Sequence, residues 1–489
     1  MEPVTPFGSE PAMAETTTDP TTDEADEGGL RRSITGKQLF FYTLGDVLGS
    51  GIYVLIGLVA AAVGGAFWIA FAVGVSIAAI TGTAYAELVT KYPQAAGAAL
   101  YVNKAFGNRV LTFLITVCFL SASFAASGAL ADGFASYFAT LWEGPPALLV
   151  TLLFILALSI INFIGITESV VINMLMAFVE IAGLVIVLII GIWYIAEGDA
   201  DLGVLVDFDT GDTSVPLAIL AGVALSFFAM TGFENTANVA EETIDPYRSF
   251  PRSLIGGMVV AGTIYVLVSM AAALTVETDK LAGSDAALLE VVKTGILPIS
   301  SDFMTTLFSV IALIAITNTT LVAVVTQPRI LYGMANEDVV PGVFAKIHPT
   351  RRSPWVGLLF SAGVVGALLV VGTFAPEVEG TTLIERLSLV TVLFLLFIYT
   401  LVIISCLKLR GQDEDDRSFR ASTPLLFVGL VGNIAIFGWS VYDDPTSLIW
   451  CAGLVAVGVV LFLVEYFLGT RSRANVERGV PTTESRGDL

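Results

Sequence analysis

Long stretches of this chain carry no charge at all, and that feature constrains its fold more than any other. Residues 111–120 and 148–161 are two such runs, and similar segments recur with short interruptions almost to the C-terminus. A bilayer's hydrocarbon core takes roughly 20 apolar residues per helical crossing. Composition agrees: 55% of the 489 residues are hydrophobic and only 14% are charged, where a soluble domain carries about 25% charged residues. A soluble enzyme and a single-span receptor are both excluded. The chain reads as an all-α integral membrane protein that crosses the lipid bilayer many times.

Asp and Glu number 44 against 23 Lys and Arg, for a net charge of −21. That balance argues against a nucleic-acid partner. Much of the acidity lies in the N-terminal tail and in one loop that holds Glu197, Asp199, Asp201, Asp207, Asp209 and Asp212. The pattern resembles that of salt-adapted proteins. Residues 1–35 are rich in Glu, Asp, Thr and Pro and lack an apolar leader segment, so they read as a disordered acidic cytoplasmic tail. Cys118, Cys406 and Cys451 lie inside apolar runs and read as small buried hydrophobes. His348, the single histidine, falls in a basic loop. No residue set for zinc or haem is present, and no cofactor is expected beyond a coupling ion.

Twelve crossings are expected, near 38–63, 66–90, 109–140, 147–165, 170–196, 215–240, 252–275, 303–333, 355–374, 383–407, 422–441 and 447–468. The basic residues test this count, because cytoplasmic loops collect Lys and Arg. With both termini in the cytoplasm, all of the 23 except Lys280, Lys293 and Arg386 fall in inner loops or tails. Cell-membrane localisation with both ends inside follows. A transporter core is expected over 36–408, divided into 36–196 and 215–408, followed by accessory helices over 421–468 and a cytoplasmic tail over 469–489. The 277–302 loop carries Ala286, Ala287, Leu288, Leu289, Val291 and Val292, and it reads as a short amphipathic helix at the outer face, either a plain surface helix or an outer gate.

Two crossings contain sequence that a helix in lipid tolerates poorly. The first span holds Gly45, Gly49 and Gly51 around Asp46 and Ser50. Glycine costs about 0.8–1.0 kcal/mol relative to Ala inside a helix. Closely spaced glycines also serve as helix-packing faces, but Ser50 between two of them at mid-span points to local unwinding. The sixth span holds Phe228, Ala229, Met230, Thr231, Gly232, Phe233 and Glu234. Unwound backbone at that depth survives only where it lines a cavity. Each break falls in the first helix of a five-helix half, and an odd number of spans turns the second half upside down. Matched breaks in two halves point to a transporter's binding site.

The residues around these breaks carry a resemblance. Residues 81–107 (TGTAYAELVTKYPQAAGAALYVNKAFG), GSGI at 49–52 and TGFENTANVAEETIDPYRSFPRS at 231–253 resemble segments of amino acid permeases in the amino acid–polyamine–organocation superfamily. PRILYGMA at 328–335 is similar to the end of span eight in the cationic amino acid transporter branch. The resemblance covers roughly residues 36–410. It implies inverted five-helix repeats with broken first and sixth helices plus two accessory helices, and secondary active transport of an amino acid. Amides around Gly49, Ser50, Gly51 and Ile52 would meet the substrate carboxylate at a half-helix N-terminus. Carbonyls around Phe228, Ala229, Met230, Thr231 and Gly232 would meet its ammonium. The substrate side chain would face spans three, six, eight and ten. Phe228 or Phe233 would cover the site as a gate, core packing being the alternative for either.

Carboxylates inside a membrane are costly and usually functional. Asp46, Glu87, Glu180 and Glu234 are the candidates. Glu234 resembles a position used in gating or proton handling. Glu87, near the cytoplasmic end of its span, reads as a structural or inner-gate contact with the 91–109 region, and Asp46 equally as a structural bond to a neighbouring helix. Relatives that resemble this chain can carry a lysine near Glu180, where other transporters bind sodium. A carboxylate there implies either a protonatable acid or a Na⁺ site shared with Thr319 or Thr320 and first-span carbonyls, a structural hydrogen bond being the third reading. A salt-rich habitat favours Na⁺ over H⁺. No G-x-x-x-x-G-K-[ST] motif is present, so an ion gradient or exchange would drive transport. An exchanger or a polyamine or organocation carrier of the same fold is the near alternative. A channel lacks its polar stripe, a membrane enzyme its nucleophile–base pair, and a sensor its soluble output domain.

Overall fold

The computed structural model describes residues 34–94, 97–164, 170–211, 213–240, 242–336, 339–351, 353–374, 382–412 and 417–468. The expected tails over 1–33 and 469–489 lie outside the described residues. The first half runs α1 (Gly36–Val47), α2 (Gly51–Val63), α3 (Trp68–Lys91), α4 (Gly97–Phe106), α5 (Arg109–Ala139), α6 (Ala147–Ile164) and α7 (Val170–Glu197). The second half runs α8 (Val215–Ala229), α9 (Pro246–Thr275), α10 (Thr278–Ala282), α11 (Ala287–Val292), α12 (Ser301–Asn336), α13 (Trp355–Phe374) and α14 (Leu383–Lys408). Then come α15 (Thr423–Asp443) and α16 (Ser447–Leu468). The chain is all-α: the one β feature among the described residues is an isolated parallel bridge between Ile34 and Thr243.

Ten helices are long and apolar enough to cross a membrane, and α1 with α2, bent by 42°, adds an eleventh crossing. The segment expected as span six is α8, 15 residues, continued past a turn by a 3₁₀ helix over Phe233–Val239. Alone, α8 reaches only about 22 Å, short of a core about 30 Å thick. The sixth expected span is therefore broken where the sequence placed the break.

Each half packs against its counterpart: α2 lies on α8, α3 on α9, α5 on α12 and α6 on α13. Helix α14 runs through the centre and is the most buried of the crossings, whereas α16 is the least. The least enclosed helices, α13, α15 and α16, leave apolar side chains such as Leu359, Phe427 and Val460 exposed, as a lipid-facing surface requires. The 277–302 region is a packed element and not a surface helix. It folds as α10 and α11, and Ala287, Leu288, Leu289, Val291 and Val292 are buried, the short helices lying against α2, α7 and α12. Glu290 bridges Lys280 at 2.9 Å and Lys293 at 2.8 Å. Partial burial works against its charge, but the two lysines hold its carboxyl below the usual range.

Glu87 does not pair with the 91–109 region. Near the end of α3 it accepts two bonds from Arg410, from Nε at 2.9 Å and from Nη2 at 2.7 Å, and a third from the Ala421 amide at 2.8 Å. Arg410 also donates to the Ala421 carbonyl and to Thr423 Oγ1. The bonds from Glu87 raise the Arg410 guanidinium above its already high ordinary value. This clasp ties α3 to the turn between α14 and α15. Removing one partner of an enclosed, hydrogen-bonded pair costs about 3 kcal/mol. Glu87→Ala is expected to lower the melting temperature in detergent. Glu87→Ala with Arg410→Ala should lower it by less than the two single effects added, a coupling that a thermal double-mutant cycle measures directly.

Candidate functional site

The two helix breaks meet. A Cβ built on Gly51 would lie 2.5 Å from the Cα of Ala229, and one on Gly232 would lie 2.6 Å from the Asp46 carbonyl oxygen. Gly232 also adopts φ +113°, a conformation that L side chains rarely take. Glycine at 51 and 232 therefore allows one broken helix to cross the other at backbone distance. Gly49 does the same for α12, since its Cβ would strike Thr319 Oγ1 at 2.5 Å.

Unwinding frees backbone groups, and specific side chains absorb part of them. Tyr265 of α9 donates to the Val47 carbonyl at 2.6 Å, with the Gly49 carbonyl at 3.4 Å. The Ser50 amide donates to Thr319 Oγ1 at 3.1 Å. The Phe228 carbonyl accepts from the Thr231 amide at 3.1 Å and from Thr231 Oγ1 at 2.7 Å. What remains at the crossing includes the amide of Gly51, at the N-terminus of α2, and the carbonyls of Ala229, the last residue of α8, and of Thr231 just beyond it. Such an N-terminus favours an anion, and carbonyls favour an ammonium.

These groups border a cavity that encloses about 700 Å³ of atom-free space, its open mouth included. Of the expected binding residues, Gly49, Ser50, Gly51, Phe228, Ala229, Thr231 and Gly232 line it. Ile52 and Met230 do not: both are buried in the packing behind the breaks. The hydroxyl of Ser50 is buried without a hydrogen-bond partner, an unsatisfied polar atom at the cavity wall. The remaining wall comes from the middle of α5, α12 and α14, including Phe119, Ser123, Thr326 and Leu395.

Among the expected ion-coupling and gating residues, Glu234 and Thr319 reach the cavity, while Phe233, Glu180 and Thr320 do not. Glu234 accepts from the Gly232 amide at 2.9 Å and from the Tyr399 hydroxyl at 2.7 Å. Phe233 packs between Tyr85 and Tyr399, ring centroids 5.5 and 5.1 Å away, under the cavity and not across it. Of the two candidate gates, Phe228 is the one at the wall. Glu180 is fully buried behind the first break, where Asn318 Nδ2 donates to its Oε1 at 3.1 Å and its Oε2 has no partner. Thr320 turns its hydroxyl to the Ile316 carbonyl of its own helix, and Thr319 serves the Ser50 amide. The side chain that meets Glu180 is thus Asn318.

Sequence reasoning missed Tyr265, Tyr399 and Asn318. Asn318 had a signal, because it stands beside Thr317, Thr319 and Thr320 in an otherwise apolar span. The two tyrosines sit in unremarkable apolar stretches and become functional only through helices distant in sequence.

The chain resembles several known transporters along nearly its full length. It is 27% identical to the Methylthioribose transporter of Bacillus subtilis (strain 168), over 91% of this chain and 95% of that one. It is 24% identical to the Branched-chain amino acid permease BcaP of the same organism, over 92% and 96%. It is 27% identical to Cationic amino acid transporter 4 of Homo sapiens, over 82% and 63%. Residues 34–467, which include both breaks and every cavity-lining residue, match the amino acid permease family, and the chain belongs to that family.

Proposed function

We propose that this protein carries an amino acid across the cell membrane by ion-coupled alternating access, through twelve crossings arranged as two inverted five-helix repeats plus two accessory helices. The observation that carries the reading is the crossing of the two breaks at a cavity. There the amide of Gly51 holds the substrate carboxylate, and the carbonyls of Ala229 and Thr231 hold its ammonium. Protein backbone thus recognises the part that all amino acids share. Asn235 and the Ser50 hydroxyl lie at the same wall. Exchange of one amino acid for another is the second reading, favoured by a 22% identical relative named Serine/threonine exchanger SteT. Net uptake into liposomes that hold no internal amino acid separates the two.

Glu180 supplies the coupling in this reading. Glu180 is buried behind the first break with the neutral Asn318 as its side-chain donor, and its Oε2 has no partner. A carboxylate so placed calls for a cation or a proton. Na⁺, a hard cation suited to oxygen ligands, would take the unpartnered Glu180 Oε2 with first-span carbonyls and the Thr319 hydroxyl oxygen. Thr320 is spent on its own helix.

Gly51→Val is expected to reduce uptake in proteoliposomes by about a hundredfold, because separating the breaks by about 1 Å misplaces both binding ends. Its circular dichroism and elution profile should match wild type, as should transport by Gly333→Ala, whose added Cβ meets nothing within 4 Å. Unchanged uptake by Gly51→Val would show the break to be a packing motif.

Replacing Na⁺ by choline at fixed pH is expected to stop uptake, and Glu180→Gln to stop it in either salt. Uptake that persists without Na⁺ and collapses with a protonophore would assign the proton instead. An active Glu180→Gln would remove Glu180 from coupling altogether.

Orientation is testable in whole cells. In a background without Cys118, Cys406 and Cys451, Asp209→Cys should react with an impermeant thiol reagent from outside, and Gln412→Cys should not. The reverse labelling would invert the topology.

A further inference from the structure

We infer that the substrate side chain is uncharged and aliphatic, of valine to leucine size, and that α5 and α12 set this specificity. The inference rests on the backbone-recognition reading above. If the two breaks hold the carboxylate and ammonium, the side chain has only the wall of α5, α12 and α14 to face. That wall presents Phe119, Ala122, Ala126, Leu130, Val322 and Leu395.

Its polar residues are polar in name more than in effect. Ser123 Oγ donates to the Ala323 carbonyl at 3.3 Å, Thr326 Oγ1 to the Val322 carbonyl at 2.8 Å and Thr391 Oγ1 to the Leu387 carbonyl at 2.8 Å. Each hydroxyl proton is thus spent on helix backbone. A serine, glutamine or asparagine side chain facing α5, α12 and α14 would find no free donor there, the Ser50 hydroxyl and Asn235 lying at the breaks, and an unmet polar group is rejected by roughly tenfold or more.

Charge is excluded at both signs. No Lys, Arg or His lies among the described lining residues, so an acidic side chain finds no counter-ion and meets Asp46 and Glu234. A basic side chain finds carboxylates only at the breaks, where the substrate's own ammonium is placed. Glu234 already accepts from Gly232 and Tyr399 on one oxygen, and no carboxylate stands on the α5 or α12 wall.

Behind the wall, Gln327 holds α12 to α5 through Ser127 Oγ at 2.8 Å and the Ser123 carbonyl at 3.0 Å. The wall is therefore braced, and its small residues, Ala122 and Ala126, fix how long a side chain fits. A methylene more or less in such a pocket changes selection by roughly tenfold or more.

The test is counterflow in proteoliposomes with labelled leucine, valine, alanine, serine, lysine, arginine and glutamate, each carried by its own unlabelled form. Leucine and valine should exchange at least tenfold faster than lysine, arginine, serine and glutamate. Ala126→Leu should lower the leucine-to-alanine ratio by roughly tenfold. Fast exchange of lysine or arginine with slow leucine would overturn this inference and leave amino acid transport standing. An unchanged leucine-to-alanine ratio in Ala126→Leu would also overturn it, by showing that α5 does not face the side chain. Exchange of none of these amino acids would overturn the transport reading and the specificity together.

Discussion

Every backbone amide and carbonyl inside a lipid bilayer needs a partner supplied by the protein, and the rest of this structure depends on how that requirement is met where helices stop. Two helices stop in mid-membrane, at Leu48–Ser50 and Met230–Gly232, and each would be unstable alone. They are stable because they stop against one another. Tyr265 caps the Val47 carbonyl, Thr319 accepts the Ser50 amide, and Thr231 closes on Phe228. The few groups left over are those that face the cavity. Capping and binding are complementary uses of the same freed backbone.

Helix α12 shows the same constraint met without a cavity. Pro328 lies inside it and has no N–H, so the Val324 carbonyl four residues earlier loses its partner. Asn162 of α6 donates to that carbonyl at 3.2 Å, while Gln327 ties the same turn to α5. The defect in one helix becomes a bond between helices. This holds α5, α6 and α12 together as one side of the molecule, with α13 packed on α6 and α12, while α2, α3, α8 and α9 pack among themselves on the other. The cavity lies between the two groups, where relative movement would open or close it.

The breaks were legible from sequence because glycine and buried polar residues are rare enough in apolar runs to be noticed singly. Gly51 and Gly232 needed no knowledge of the fold to be suspected. The helical, many-crossing character was legible for a similar reason, since hydropathy is local, although the described residues hold ten helices long and apolar enough to cross, or eleven with the bent pair, against the twelve expected. The partners were not legible. Glu87 and Arg410 are 323 positions apart, and the expectation of a nearer partner failed because a helix end meets whichever loop folds over it. Thr319 and Thr320 also looked interchangeable in sequence. One residue of α12 separates them by about 100° of helix rotation; both hydroxyls donate to their own helix, but only Thr319 faces the break and accepts from the Ser50 amide.

The placement of the carboxylates follows from what each can be paired with. Glu87, near a helix end, meets a guanidinium and ties helices together. Glu290, outside the bundle, meets two lysines and stays charged. Glu234 and Glu180 meet only neutral donors, Tyr399, Gly232 and Asn318, and Glu180 keeps one oxygen unpartnered. A buried carboxylate supported by neutral donors alone retains an energetic need for a positive charge. A structural role would be served at lower cost by glutamine, which offers the same acceptor to Asn318 without that need. That unpartnered oxygen distinguishes Glu180 from the carboxylates that meet a guanidinium or a lysine, and it is the observation on which the proposed cation at Glu180 rests.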